Sequence, residues 1–210
     1  MEKSLGKILI LNGSPHEKGT TRRALDEVAA VLREEGFEVN IHTVGNLDVL
    51  GCRACGGCKK LGKCVINDIV NELAGELYEA DGVILGSPVY YAAPNGAFLA
   101  LLNRLFYSTH FDKSMKVGAS VVAARRAGLT ASFDVLNKYF TISGMPIASS
   151  YYWDQIHGKS YSEAEGDFEG LDTMRALGRN MAFLIKAIKD AKEKYTIPQK
   201  GEKVYTSFIR

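Results

Sequence analysis

Residues 7–21 read KILILNGSPHEKGTT, and this stretch decides the fold. Its first six residues contain four consecutive aliphatic residues, Ile8 to Leu11, which are typical of a short buried strand, and the run ends before Gly13. From Thr20 to Glu35, apolar residues return at helical spacing, at Ala24, Leu25, Val28 and Leu32. The stretch therefore predicts a strand, a tight loop and a helix.

Four more strand–helix units are predicted further along the chain. The expected strands are Glu38–Val44, Gly82–Pro88, Lys116–Ala124 and Pro146–Tyr152. The expected helices are Asp68–Glu79 with Asn67 as its N-cap, Asn95–Tyr107, Leu129–Phe140 and a long last helix with an apolar face from Leu171 to Ile188. This alternation predicts a five-stranded parallel sheet of order 2-1-3-4-5 with helices on both faces, an α/β three-layer sandwich. Ligands of such sheets bind beyond the carboxyl ends of the strands.

Length and composition favour one domain. The chain has 210 residues, of which 46% are apolar, so it can bury a substantial core without metals or disulfides. We expect residues 1–195 to form the domain, with a cysteine-rich insertion at 51–66, and residues 196–210 to form a C-terminal tail.

Charge and hydropathy exclude several classes of protein. A net charge of +2, spread along the chain, gives no electrostatic reason to expect nucleic acid or an anionic membrane as a partner. No apolar stretch is long enough to cross a bilayer, and the N-terminus does not resemble a signal peptide. All four cysteines lie in one short segment, which suggests a reducing compartment. The expectation is a cytoplasmic protein.

The loop after the first strand is suited to a phosphate. Ser14, Thr20 and Thr21 offer hydroxyls, Gly13 and Gly19 allow a close backbone approach, and the following helix presents its positive end. The spacing matches neither the dinucleotide-binding G-x-G-x-x-G pattern nor the P-loop pattern. A mononucleotide is therefore expected, although the same residues also suit an ordinary turn followed by helix caps.

Two further loops are expected at the same edge of the sheet. Residues 86–96, GSPVYYAAPNG, place a Ser-Pro turn and two tyrosines after the third strand, where a flavin ring would lie. The fourth strand ends at Ala124, and residues 125–128, RRAG, add backbone donors and positive charge. The three loops together predict flavin mononucleotide (FMN) as the ligand.

The cysteine segment has the form C-x2-C-x2-C-x5-C, with Cys52, Cys55, Cys58 and Cys64. Three closely spaced thiolates followed by a fourth suit a 4Fe-4S cluster, and nearby basic residues would offset its negative charge. Two alternatives stay open. Redox-active thiols would be favoured by the basic setting, and zinc is less favoured because structural zinc sites usually pair two separate C-x2-C knuckles.

Residues 11–15, residues 87–90 and the cysteine segment between them resemble the NADPH-dependent FMN reductase family, especially its iron-sulfur flavoprotein branch. The resemblance covers roughly residues 1–125. It implies a flavodoxin-like fold, FMN as cofactor, and a homodimer or homotetramer in which subunits meet near the flavins.

The resemblance also assigns roles to residues. Ser14, His16, Thr20 and Thr21 would hold the phosphate, with His16 standing where members of the family often have arginine. Pro88, Val89, Tyr90 and Tyr91 would border the ring. The full predicted set is Ser14, His16, Gly19, Thr20, Thr21, Ser87, Pro88, Val89, Tyr90, Tyr91, Ala124, Arg125 and Gly128 for FMN, and Cys52, Cys55, Cys58 and Cys64 for metal.

The expected function is electron transfer from NAD(P)H through FMN to a small acceptor such as free flavin or a quinone. FMN performs the redox step, so no catalytic side chain is required. The alternative is an iron-sulfur flavoprotein that carries electrons between ferredoxin and another acceptor, and a third class is a regulatory FMN-binding protein without turnover. The loop Ser150–Asp154 is expected to shape the space above the ring.

Overall fold

The computed structural model describes residues 4–198, 201–202, 204, 206 and 208. Residues 1–3 and part of the predicted tail at 196–210 lie outside the described residues. The strands are β1 Lys7–Asn12, β2 Glu38–Thr43, β3 Gly82–Tyr90, β4 Ala93–Pro94, β5 Val117–Ala124 and β6 Gln155–His157. The helices are α1 Thr20–Glu34, α2 Cys58–Leu61, α3 Ile69–Glu79, α4 Gly96–Ser108, α5 Leu129–Ile142, α6 Tyr161–Ala164 and α7 Phe168–Lys194.

Five strands form a parallel sheet in the order β2-β1-β3-β5-β6. At its centre Ile10 lies beside Ile41 of β2 and Ile84 of β3, and Ile84 lies beside Ala119 of β5. The predicted order 2-1-3-4-5 is thereby confirmed, because the two-residue β4 is an antiparallel addition to β3 and does not enter the parallel path.

Both faces of the sheet are buried, which explains why its inner strands are almost continuously apolar. Ile8 and Ile10 of β1 face a core formed with α1 and α7, whereas Leu9 and Leu11 face a core formed with α3, α4 and α5. Within the described residues, no helix combines the length and apolar character needed to span a membrane.

The fifth parallel strand lies further along the chain than expected. The prediction of a strand over Pro146–Tyr152 is wrong: Ile147 forms only an isolated bridge with Gly118, and the paired strand is Gln155–His157. Side-chain bonding explains the break. The Ser150 hydroxyl lies 2.9 Å from the Tyr152 carbonyl and 2.5 Å from Asp154 Oδ1, which bends the segment away from β5.

Smaller departures concern helix ends and short helices. The N-cap of α3 is Asp68 and not the predicted Asn67, because the Asp68 carboxylate accepts the Val70 N–H at 3.2 Å. The short helices α2 and α6 were not predicted, and a single turn carries too few residues to show helical periodicity.

We expect Gly118→Ala to destabilise the fold. A Cβ at this position in β5 would lie 2.5 Å from the Phe140 ring, and overpacking of this kind costs about 1–3 kcal/mol. Gly75→Ala is the matched control, because no described atom lies within 4 Å of a Cβ at this exposed position of α3 and alanine favours a helix over glycine by about 0.5–1 kcal/mol. Urea unfolding should show opposite changes for the two variants, and equal midpoints would contradict this packing.

Candidate functional site

The loop between β1 and α1 presents an uncapped helix N-terminus. Helix α1 begins after Gly19, whose backbone is extended, and among the described residues no side-chain hydrogen bond caps the helix there. The first N–H groups of a helix have no partner within the helix, and they carry the positive end of its dipole. The loop is therefore suited to bind an anion beyond the carboxyl end of β1.

The three hydroxyls of this loop are not equivalent. Ser14 is buried, and its Oγ accepts the His16 N–H at 3.2 Å, so its own hydrogen remains for a ligand. Thr20 instead donates its hydroxyl to the Ser160 carbonyl at 3.1 Å. Its backbone N–H is therefore the group that Thr20 offers to an anion. Thr21 is buried in the first turn, whereas His16 is exposed.

A buried amide, Asn95, connects this loop to two others. Its Nδ2 donates to the carbonyl oxygens of Gly13 at 2.9 Å and Gly45 at 3.3 Å. Its backbone N–H donates to Ser87 Oγ at 3.0 Å, and its Oδ1 accepts the Ala97 N–H, which caps α4. One side chain thus fixes the loops after β1 and β2 to the start of α4.

The segment after β3 turns back as a tight hairpin. Tyr90 of β3 pairs with Ala93 of β4, and the two residues between them, Tyr91 and Ala92, have φ of 51° and 58°. Two consecutive positive φ values characterise a type I′ turn. Tyr90 is half-exposed and Tyr91 fully exposed, so both rings lie outside the core and beside the carboxyl ends of the strands.

The loop after β5 packs against this hairpin. Gly128 has φ of 90°, and a Cβ there would lie 2.9 Å from both Ala92 Cα and Val89 Cγ1. Glycine is therefore required at this position by conformation and by space. Ala124 is half-buried at the end of β5, and Arg125 is exposed. The structure thus brings the predicted residues of the third and fourth loops together.

The four cysteines line one cavity of about 150 Å³, together with Arg104 and Tyr107 of α4. Cys58 is buried, Cys64 is partly buried, and Cys52 and Cys55 are exposed. None of the four forms a disulfide. Across the described part of the chain, no three His, Cys, Asp or Glu side chains are arranged to hold a metal ion. The structure brings the four thiols to one place without converging them on a common centre.

Arg104 is the buried anchor of this cavity, with 1% of its side chain exposed. It forms a two-point ion pair with Asp68, at 2.6 and 2.8 Å, and its Nε and Nη2 lie 3.4 and 3.3 Å from Cys64 Sγ. It also donates to the carbonyls of Leu50 and Ile66 at 3.2 Å. The hydrogen bond to Asp68, above all, raises the pKa of the Arg104 guanidinium.

Comparison with known proteins agrees with this geometry. A family model described as NADPH-dependent FMN reductase matches residues 6–158. An iron-sulfur flavoprotein from Methanocaldococcus jannaschii is 31% identical over 191 residues, which cover 87% of this chain and 99% of that protein. The chain belongs to the NADPH-dependent FMN reductase family.

Solved structures show the fold of this family member. The structure of RosB with a bound riboflavin-phosphate intermediate aligns with a TM-score of 0.70 at 17% identity, over 97% of this chain and 94% of that one. An archaeal flavodoxin aligns with a TM-score of 0.59 at 14% identity, over 86% and 99%. The flavodoxin-like fold is thereby confirmed, as is the resemblance to the iron-sulfur flavoprotein branch.

Two residues of this FMN reductase family member that organise the site are absent from the predicted set. The sequence pattern places Asn95 only at the start of a helix, although an asparagine after Pro94 is a recognisable cap. Arg104 interrupts the run LLNRLF in an apolar helix, and this is the one sequence signal of its burial. Neither signal reveals which loops these side chains reach.

The loop Ser150–Asp154 joins exposed aromatic rings to a buried acid. Tyr152 and Trp153 are exposed and meet edge to face, with 4.7 Å between ring centroids. Burial raises the pKa of Asp154 to about 7, against the lowering effect of its hydrogen bond from Ser150. Its Oδ2 is buried and has no hydrogen-bond partner within the described structure.

Asn95→Asp should loosen the site while keeping the helix cap. Aspartate also accepts the Ala97 N–H, but it cannot donate to the carbonyls of Gly13 and Gly45. We expect a loss of about 2–4 kcal/mol in the free energy of unfolding, measured by urea, because buried carbonyls lose their donors. Asn180→Asp also loses a hydrogen bond, from Nδ2 to the Ser149 carbonyl at 2.7 Å, but at an exposed position of α7, where water replaces the donor; it should cost less than about 1 kcal/mol. A similar small change in both variants would show that the hydrogen bonds from Asn95 to Gly13 and Gly45 do not stabilise the loops.

Asp154→Asn should remove a pH dependence of stability. The folded pKa of about 7 lies above the ordinary value of 3.8, so the stabilising effect of the protonated acid is complete below pH 3.8 and is lost as pH rises through 7. As pH rises from 5 to 8, the free energy of unfolding of the parent should fall by about 2–3 kcal/mol more than that of the variant, which has no carboxyl group to titrate at this position. Parallel urea curves at all pH values would show that Asp154 titrates normally.

Proposed function

We propose that the protein is an FMN-dependent oxidoreductase that binds FMN at the carboxyl edge of its sheet. The observation that carries this proposal is the convergence of three loops through Asn95 and Gly128 around an uncapped helix N-terminus. When bound, FMN supplies transfer of a hydride or of single electrons. The match to the FMN reductase family supports the same cofactor.

The chain's own residues hold and orient the cofactor in this proposal. The first-turn N–H groups of α1 and the Ser14 hydroxyl bind the phosphate, and no lysine or arginine is required because the helix dipole favours a negative charge. The exposed Tyr90 and Tyr91 border the ring. Arg125, exposed after β5, supplies positive charge near the ring edge.

We further propose that the cysteine cavity holds a 4Fe-4S cluster. All four cysteines line this one cavity, and the exposed Arg53, Lys59, Lys60 and Lys63 on the same segment offset negative charge. Helix α4 joins the two sites: Asn95 caps it at the FMN loops, and Arg104 lies in the cavity nine residues later, about 14 Å along the helix axis. Similarity to an iron-sulfur flavoprotein supports the cluster over zinc or empty thiols.

Two electron donors are candidates. Family membership supports reduction by NAD(P)H, with a small acceptor such as free flavin or a quinone taking the same two electrons. The cysteine cavity supports reduction by ferredoxin, one electron at a time. The exposed Tyr90 and Tyr91 at the carboxyl edge of the sheet also support the proposal that a second subunit meets this face in a homodimer or homotetramer. We retain a cytoplasmic location as a proposal.

Anaerobic purification, reconstitution with iron and sulfide, and absorption spectroscopy test the two cofactors together. We expect flavin absorption with about one FMN per chain, and four iron and four sulfide per chain for a 4Fe-4S cluster. Cys64→Ser should lose iron and sulfide but keep FMN. Ser108→Ala, which lines the same cavity without a thiol, should keep both. Iron and sulfide near zero in the parent protein would refute the cluster.

Stopped-flow reduction of the FMN-loaded protein separates the donors. Rapid bleaching of the flavin by NADPH or NADH, unchanged in Cys64→Ser, is expected for the reductase. The electron-carrier function would replace the reductase proposal if reduced ferredoxin bleaches the flavin, if this bleaching is lost in Cys64→Ser, and if neither nicotinamide has an effect. A flavin that no donor reduces would point to a binding protein without turnover.

A further inference from the structure

We propose that Arg104 tunes the reduction potential at the cysteine cavity by acting on one ligand, Cys64, and that Asp68 limits the effect. This inference rests on the proposed cluster. Arg104 is a positioning residue in this account, because it acts through the Cys64 sulfur and not on a substrate.

The contacts of Arg104 concentrate positive charge at one sulfur. Its Nε and Nη2 both lie within hydrogen-bond distance of Cys64 Sγ, at 3.4 and 3.3 Å. Within the described part of the chain, Cys64 is the one cysteine whose sulfur receives a hydrogen bond, since Cys58 has a contact only through its carbonyl, with His110. The four thiols are therefore electrostatically unequal.

The position of Cys64 does not depend on Arg104 alone. Its backbone N–H donates to Asn71 Oδ1 at 3.0 Å, and its carbonyl accepts from Asn71 Nδ2 at 3.1 Å. Asn71 therefore holds the cysteine backbone from α3 on its own. Removal of the Arg104 charge changes the electrostatic potential at the Cys64 sulfur, while the hydrogen bonds from Asn71 still hold the Cys64 backbone.

Hydrogen bonds to the sulfurs are among the factors that set the potential of an iron-sulfur cluster. Reduction adds negative charge, so a buried guanidinium beside a ligand sulfur favours the reduced state and raises the potential. The effect is large here because Arg104 is 1% exposed and little water screens it. The Asp68 carboxylate, paired with the same guanidinium, partly cancels it.

The two partners therefore make opposite predictions. Arg104→Gln should lower the midpoint potential, because a positive charge and hydrogen bonds to Cys64 are lost. Asp68→Asn should raise it, because the Arg104 charge is no longer offset, and asparagine still serves as N-cap of α3. A role that is only structural would move both potentials in the same direction or move neither.

A redox titration monitored by electron paramagnetic resonance on anaerobic, reconstituted protein measures these shifts. At fixed ambient potential, each variant should change the ratio of reduced to oxidised cluster about tenfold, a shift of about 59 mV for a one-electron couple. Glu72→Gln is the matched control, since it removes an exposed charge from α3 one residue after Asn71 and should change the ratio less than about twofold.

The outcomes separate this inference from the proposed function. Opposite shifts support it, and an unchanged potential in Arg104→Gln with an intact cluster overturns it while leaving the cluster assignment in place. If Arg104→Gln fails to fold, Asp68→Asn decides: a raised potential supports the inference, and an unchanged or lowered one overturns it. Iron and sulfide absent from the parent protein would overturn the cluster assignment and this inference with it.

Discussion

The loops at the carboxyl edge of the sheet depend on the hydrogen bonds of the Asn95 side chain. The carboxyl ends of parallel strands leave their loops without a strand partner, so the loops after β1 and β2 need another source of hydrogen-bond donors. A single buried amide meets this need, because it donates twice to loop carbonyls and accepts once from the helix that it caps. The open N-terminus of α1 can then be left for a ligand.

Close contacts leave no room for a side chain at two positions of these loops, Gly45 and Gly13. A Cβ at Gly45 would lie 2.1 Å from the Gly13 carbonyl oxygen, which is one of the acceptors that Asn95 holds. A Cβ at Gly13 would lie 2.4 Å from the Phe98 ring of α4. The backbone of the loop after β1 therefore lies directly on the helix that also lines the cysteine cavity.

Helix α4 consequently organises two sites with different chemistry. At its start, neutral hydrogen bonds hold the loops after β1 and β2, and near its end an ion pair between the buried Arg104 and the partly exposed Asp68 holds the cysteine segment. Desolvating a guanidinium is expensive unless it is paired and hydrogen-bonded, and every donor direction of Arg104 here has an acceptor. The insertion between β2 and α3 is thereby attached to the core without secondary structure of its own beyond α2.

The sequence by itself determined the parallel sheet, its order, the position of the loop after β1 and the grouping of the four cysteines. Local periodicity and residue spacing predict these features, because strands and helices each have a fixed geometric repeat. Only the tertiary structure decided that the last strand begins at Gln155, that Asn95 joins three loops, and that Arg104 reaches Cys64. Each depends on contacts between residues far apart in the chain, for example 82 positions for Asn95 and Gly13 and 40 for Arg104 and Cys64. Such contacts depend on how the elements pack in three dimensions, so a local pattern of residues does not predict them.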